Sequence, residues 1–134
     1  MVDYEISIVL NEEYDIAVSK TVNALKEEGF GVLTEIDVKK TLKTKLNVDF
    51  ERYVILGACN PPFAKRALDI EREIGLLLPC NIVVQELEER KTKVAAIDPE
   101  KMFMIIGNPE LELVAKEVST KLQRVINSLT GLDI

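Results

Sequence analysis

The chain has 134 residues, 47% hydrophobic and 30% charged, a balance that fits one soluble globular domain with its own core over residues 1–134. Lys and Arg number 17 against 23 Asp and Glu, a net charge of −6, so binding to nucleic acid by phosphate neutralisation is not expected. There is no histidine, which excludes Ser-His-Asp and Cys-His catalysis and zinc ligation by imidazole.

No apolar run approaches the roughly 20 residues needed to span a bilayer. The opening "MVDYEISIVLNEEYD" lacks the basic and apolar regions of a leader, so a cytoplasmic protein without membrane association is expected. Two cysteines with no CxxC spacing agree with a reducing compartment, and neither a metal nor a cofactor is expected.

Tyr4, Ile6, Ile8 and Leu10 alternate with Glu5, Ser7 and Val9 as a strand with one buried face. Asn11 is then expected to cap a helix carrying Tyr14, Ala17, Val18, Thr21, Val22 and Leu25 on one side, stopped at Gly29. "FGVLTEI" resumes as a strand, and Asp37 caps a short helix with Val38, Leu42 and Leu46. That helix holds the one basic cluster, "KKTLKTK" at 39–45, which reads as a solvated face. "RYVILGA" is apolar almost throughout and is expected at the centre of the sheet. The next helix places Phe63, Ala64, Ala67, Leu68 and Ile74 on one side and ends at Gly75.

"CNIVVQEL" and "KTKVAAI" are joined by the polar Glu88-Glu89-Arg90 turn as a hairpin. Asp98-Pro99 and Asn108-Pro109 are both cap-plus-N1 signals. The second opens a long helix whose Leu111, Val114, Ala115, Val118, Leu122, Val125, Ile126 and Leu129 keep helical spacing. "MFMII" at 102–106 reads first as core, with a pocket lid or an oligomer contact as the alternatives. The order β-α-β-(short α)-β-α-β-β-(short α)-α predicts a two-layer α+β fold, about five mainly antiparallel strands backed by helices. A sheet so apolar needs a cover on its other face, and a second subunit, making a homodimer, is the expected one.

Two short stretches look most like a site. In "ILGACNPPFAKRAL" the cysteine of Cys59-Asn60-Pro61 stands between a strand and a helix start, and "LLLPCNIVV" returns the same residue types as Pro79-Cys80-Asn81. Asn60 suits an N-cap accepting the N–H of Phe63, and Pro61 suits N1. The two adjacent prolines remove backbone donors, which argues against a phosphate site. Cys59, near the positive end of a helix dipole but after an apolar strand, is expected to be mostly buried and slow to alkylate. The two thiols can meet only if the chain doubles back after the helix.

Gly57-Ala58-Cys59-Asn60-Pro61 and Leu77-Leu78-Pro79-Cys80-Asn81, with "VLTEIDVKKTLKTKL" before them and "VAAIDPEKM" after, resemble domain-of-unknown-function family 302 over nearly the whole chain. That resemblance implies a TBP-like α+β fold, a curved antiparallel sheet backed by helices, and a dimer; it implies no reaction. The leading reading is a homodimer that binds a small molecule or a partner protein around Cys59, Asn60, Pro61, Pro79, Cys80 and Asn81, with Asp37 and Asp98 as nearby polar candidates. The rival is thiol or sulfur chemistry with Cys59 as nucleophile and Cys80 as resolving partner. A purely structural subunit is the third.

Overall fold

In a computed structural model, which describes residues 4–130, the chain runs β1 (Glu5–Leu10), α1 (Tyr14–Glu27), β2 (Gly31–Asp37), α2 (Val38–Leu46), β3 (Tyr53–Cys59) and α3 (Pro61–Ile70). A 3-10 turn (Arg72–Leu77) leads to β4 (Cys80–Glu88), β5 (Lys91–Ile97), α4 (Pro99–Phe103) and α5 (Pro109–Ser128). The strands form one five-stranded sheet in the order β1-β5-β4-β3-β2, every neighbouring pair antiparallel. This is the expected α+β architecture. The expected hairpin is β4–β5, closed through Arg90 at positive φ. The central strand is β4 rather than β3, because the chain crosses from β1 to the far edge and works back.

Period-2 alternation puts one side chain in two on each face. Ile6, Leu10, Val54, Leu56, Ile82, Val84, Val94 and Ala96 form the covered face, all buried, and α1 and α5 pack onto it. Every member of the α5 stripe from Leu111 to Leu129 is buried, as its spacing predicts. A large aliphatic side chain of this kind contributes roughly 1.5–3 kcal/mol when fully buried, so α5 is the principal anchor of the helical layer. On the other face Tyr53, Ile55, Val83 and Ile97 remain partly exposed. Among the described residues no helix is long and apolar enough to cross a membrane.

Local signals fared unevenly. Asp37, Asp98 and Asn108 cap as expected, accepting from the backbone N–H groups of Lys40, Glu100 and Glu110. Asn11 does not cap α1, which begins at Tyr14 with Glu13 at the cap position, where its side chain makes no capping hydrogen bond. The Phe63 helix ends at Ile70 rather than at Gly75. The chain turns extended at Glu71, and Ile74 reaches the core from the 3-10 turn, fully buried. In α2 no residue is buried.

A cavity at the β3–α3 corner

Antiparallel pairing of β3 with β4 sets Ala58 opposite Cys80 and Gly57 opposite Asn81, so the two site-like stretches lie side by side. Gly57 makes this possible. A Cβ at that position would run into Thr34 Oγ1 on β2 and stand 2.8 Å from Pro79 Cγ. Its absence lets Pro79, after the cis Leu78–Pro79 bond, lie against β3. On the other side of the corner Pro61 takes N1 of α3, where a missing N–H is no loss.

Asn60 has the backbone of an N-cap but not its bond. Its side chain makes no cap hydrogen bond; Nδ2 instead donates to the Glu28 carbonyl oxygen at 3.1 Å. That carbonyl lies just past the end of α1, where helix carbonyls lack intrahelical partners, so Asn60 completes the end of α1 rather than the start of α3. The contact is close because Gly29, at φ +86°, has no Cβ; one placed there would lie 3.2 Å from Asn60 Nδ2. The Glu28 carboxylate continues the link by accepting from Arg124 of α5 at 2.9 Å. That bond, more than partial burial opposes it, holds the Glu28 carboxyl below its usual pKa.

Beneath this corner is a cavity of about 360 Å³. Ala58, Cys59, Asn60, Pro79 and Cys80 form its sheet side, and Phe63, Ala64, Ala67 and Leu68 of α3 form another wall. Val114 and Val118 of α5, Phe103, Phe30 and Leu78 close it, with Leu33, 68% exposed, on its rim. The volume falls in the range of small-molecule sites, roughly 300–1,000 Å³. No lining side chain carries a charge. Two cations lie over the Phe63 ring, Arg66 at 5.4 Å and Lys121 at 5.9 Å, and both already face acids, Glu117 and Glu28.

Both thiols are free, and they differ. Cys80 is buried, and desolvation, helped by the nearby Cys59 thiol, pushes its pKa up to about 11. Cys59 is half-buried, not shut in as its apolar strand predicts, because the strand ends there and the cavity opens beside it. A buried thiol held neutral is a poor nucleophile and a poor resolving partner.

The structure gathers four of the predicted site residues around the cavity: Cys59, Asn60, Pro79 and Cys80. Pro61 is exposed at the helix start, outside the lining. Asn81 points to the other sheet face, in a separate pocket of about 330 Å³ with Tyr53 and Gln85. Asp37 ends β2 and caps the exposed α2 beside Lys40 and Lys43, and Asp98 caps α4 and accepts from Ser119 Oγ at 2.9 Å. Neither aspartate lines the cavity; both serve as helix caps. The walls Phe30 and Val118 escaped sequence reasoning, since nothing separates them there from ordinary core, whereas the Leu78-Pro79 segment and the Phe of "MFMII" carry a hint of a pocket in the sequence.

The profile of the family described as "Domain of unknown function DUF302" matches residues 6–129. Among solved structures, the crystal structure of an uncharacterized conserved DUF302 protein from Bacillus stearothermophilus is similar, with a TM-score of 0.86 and 28% identity over 94% of this chain and 98% of that one. A comparison with curated proteins found no match. A family match over this span, with the same fold in a relative, shows that the chain belongs to the DUF302 family.

Proposed function

We propose that this DUF302 protein is a homodimer that binds a small apolar molecule in the cavity at the β3–α3 corner. The observation that carries the reading is the cavity itself, about 360 Å³ lined by uncharged residues from strands β3 and β4 and three helices, with one amide in its wall. Cys59, Asn60, Pro79 and Cys80 are the ligand-facing members of the original set. Native mass spectrometry of freshly purified protein tests it. The parent is expected to carry a small-molecule adduct that Ala64→Phe, which fills the cavity, loses without losing the fold. A parent with no adduct that also fails to take up apolar dyes would remove the reading.

The dimer rests on the other sheet face, where Tyr53, Ile55, Val83 and Ile97 leave apolar surface partly exposed. Two such faces stacked on one another bury what each leaves exposed. Sedimentation at micromolar concentration is expected to give a dimer, and Ile55→Lys a monomer. A parent that sediments as a monomer rules the dimer out.

Thiol chemistry is the second reading, favoured by the half-buried Cys59 on the cavity wall. The burial of its would-be partner Cys80 weighs against it.

A further inference from the structure

We infer that the cavity selects an uncharged ligand that brings one hydrogen-bond donor to Asn60 Oδ1. The inference rests on the cavity-binding reading and adds the chemical class of the ligand. Its basis is the balance of polar atoms. Asn60 is 8% exposed and lines the cavity. Its nitrogen end is fixed by the Glu28 carbonyl, which accepts only from a donor, and is wedged against Gly29. The oxygen end accepts from no described residue. Among the described residues no fully buried side-chain oxygen or nitrogen lacks a partner, so this oxygen keeps access to solvent; in the otherwise apolar walls it is an acceptor that a ligand hydroxyl or N–H can take over from water.

Charge sets the second half of the specificity. An anion entering the cavity would leave water and meet no lining cation. Arg66 and Lys121 stand over the Phe63 ring and are engaged by Glu117 and Glu28. A cation would find no lining carboxylate. A neutral, mostly apolar molecule with a single donor is what remains.

Three probes of one shape read this directly: 2-naphthol, neutral with a donor; 2-methoxynaphthalene, neutral without one; and 2-naphthoate, an anion. Titrated into the full protein at pH 7, 2-naphthol is expected to bind about fivefold tighter than 2-methoxynaphthalene, the worth of one ordinary net hydrogen bond. The naphthoate is expected to be weaker than both, by about tenfold or more, for want of a counter-charge. In Asn60→Leu the two neutral probes should bind alike. Equal binding of the neutral probes to the parent overturns the donor requirement and leaves the cavity reading standing. Naphthoate binding as tightly as naphthol overturns the neutrality requirement. Binding of none of the three overturns the cavity reading itself. A naphthol preference that survives in Asn60→Leu assigns the acceptor elsewhere and overturns the role of Asn60. The parent's ranking decides the ligand class even if the variant does not fold.

Discussion

Cys59-Asn60-Pro61 and Pro79-Cys80-Asn81 carry the same three residue types on neighbouring strands, and the fold uses them differently. In the first, the asparagine is buried and tied to the end of α1, while the cysteine is half-buried beside the cavity. In the second, the cysteine is buried in the core face and the asparagine is exposed on the other side of the sheet. The prolines part company as well, one starting a helix and the other lying against Gly57. Residue type therefore says little until the pleat and the strand ends decide which face each side chain takes.

The contrast depends most on Gly57, which lets the two stretches lie together. Gly57→Ala drives a methyl group into Thr34 and Pro79, and should destabilise by roughly 3 kcal/mol, the upper end for overpacking. Chemical denaturation measures it. A variant as stable as the parent would show that Pro79 can move aside and that the cavity wall is not held by β3.

The second cysteine can be isolated through pH. Its folded pKa of about 11 lies above the model-compound value of 9.0, so the folded state holds the proton more tightly. Stability from this source is complete below pH 9 and is lost as pH rises through about 11. The loss is on the order of 2 kcal/mol. Cys80→Ala should flatten that part of the stability profile, measured by denaturation at a series of alkaline pH values. An unchanged slope would mean that Cys80 is not desolvated in solution.

A matched pair tests the asparagines. Asn60→Ala removes the donor to the Glu28 carbonyl and should lower stability by roughly 0.5–1.5 kcal/mol. Asn81→Ala, on an exposed face, should change it by less than about 0.5 kcal/mol. Thermal melts of the two side by side measure the difference, and equal effects would erase the distinction between the corners.

Much of the architecture was legible because it rests on periodicity. The α5 stripe, the β4–β5 hairpin and the Asp37, Asp98 and Asn108 caps all express local rules that tertiary contacts leave alone. The order of strands was not, since an apolar β3 reads the same at the centre or one place from it. The site was half legible. Composition marked the Cys-Asn-Pro corner, but Asn60 forms a bond with a carbonyl 32 residues earlier, which no local cap rule anticipates. The asparagine cap rule failed there because a long-range partner competed for the same side chain.

Alkylation of the thiols gives the last test of the comparison, read as a rate and not as a stability. Alkylation proceeds through the thiolate, so two things control its rate: how much thiolate exists, and whether reagent reaches it. For Cys80 both are unfavourable. It is 6% exposed, and a pKa pushed up to about 11 lowers its thiolate fraction near neutral pH about 100-fold relative to a thiol at the ordinary value. Cys59 is reached more easily, yet the rigid Pro61-Pro62 start of α3 and the cavity walls restrict approach. Iodoacetamide at pH 7, followed by peptide mass spectrometry, should therefore label Cys59 well before Cys80 and more slowly than free cysteine. Because Cys59 lines the cavity, saturating 2-naphthol should slow its labelling further while leaving the slow reaction of Cys80 unchanged. Labelling of Cys59 faster than free cysteine would mean that the corner activates the thiol, and would move the protein from a binding role to thiol chemistry. Equal labelling of the two cysteines would mean that the corners are equally open, and the contrast between them would fall.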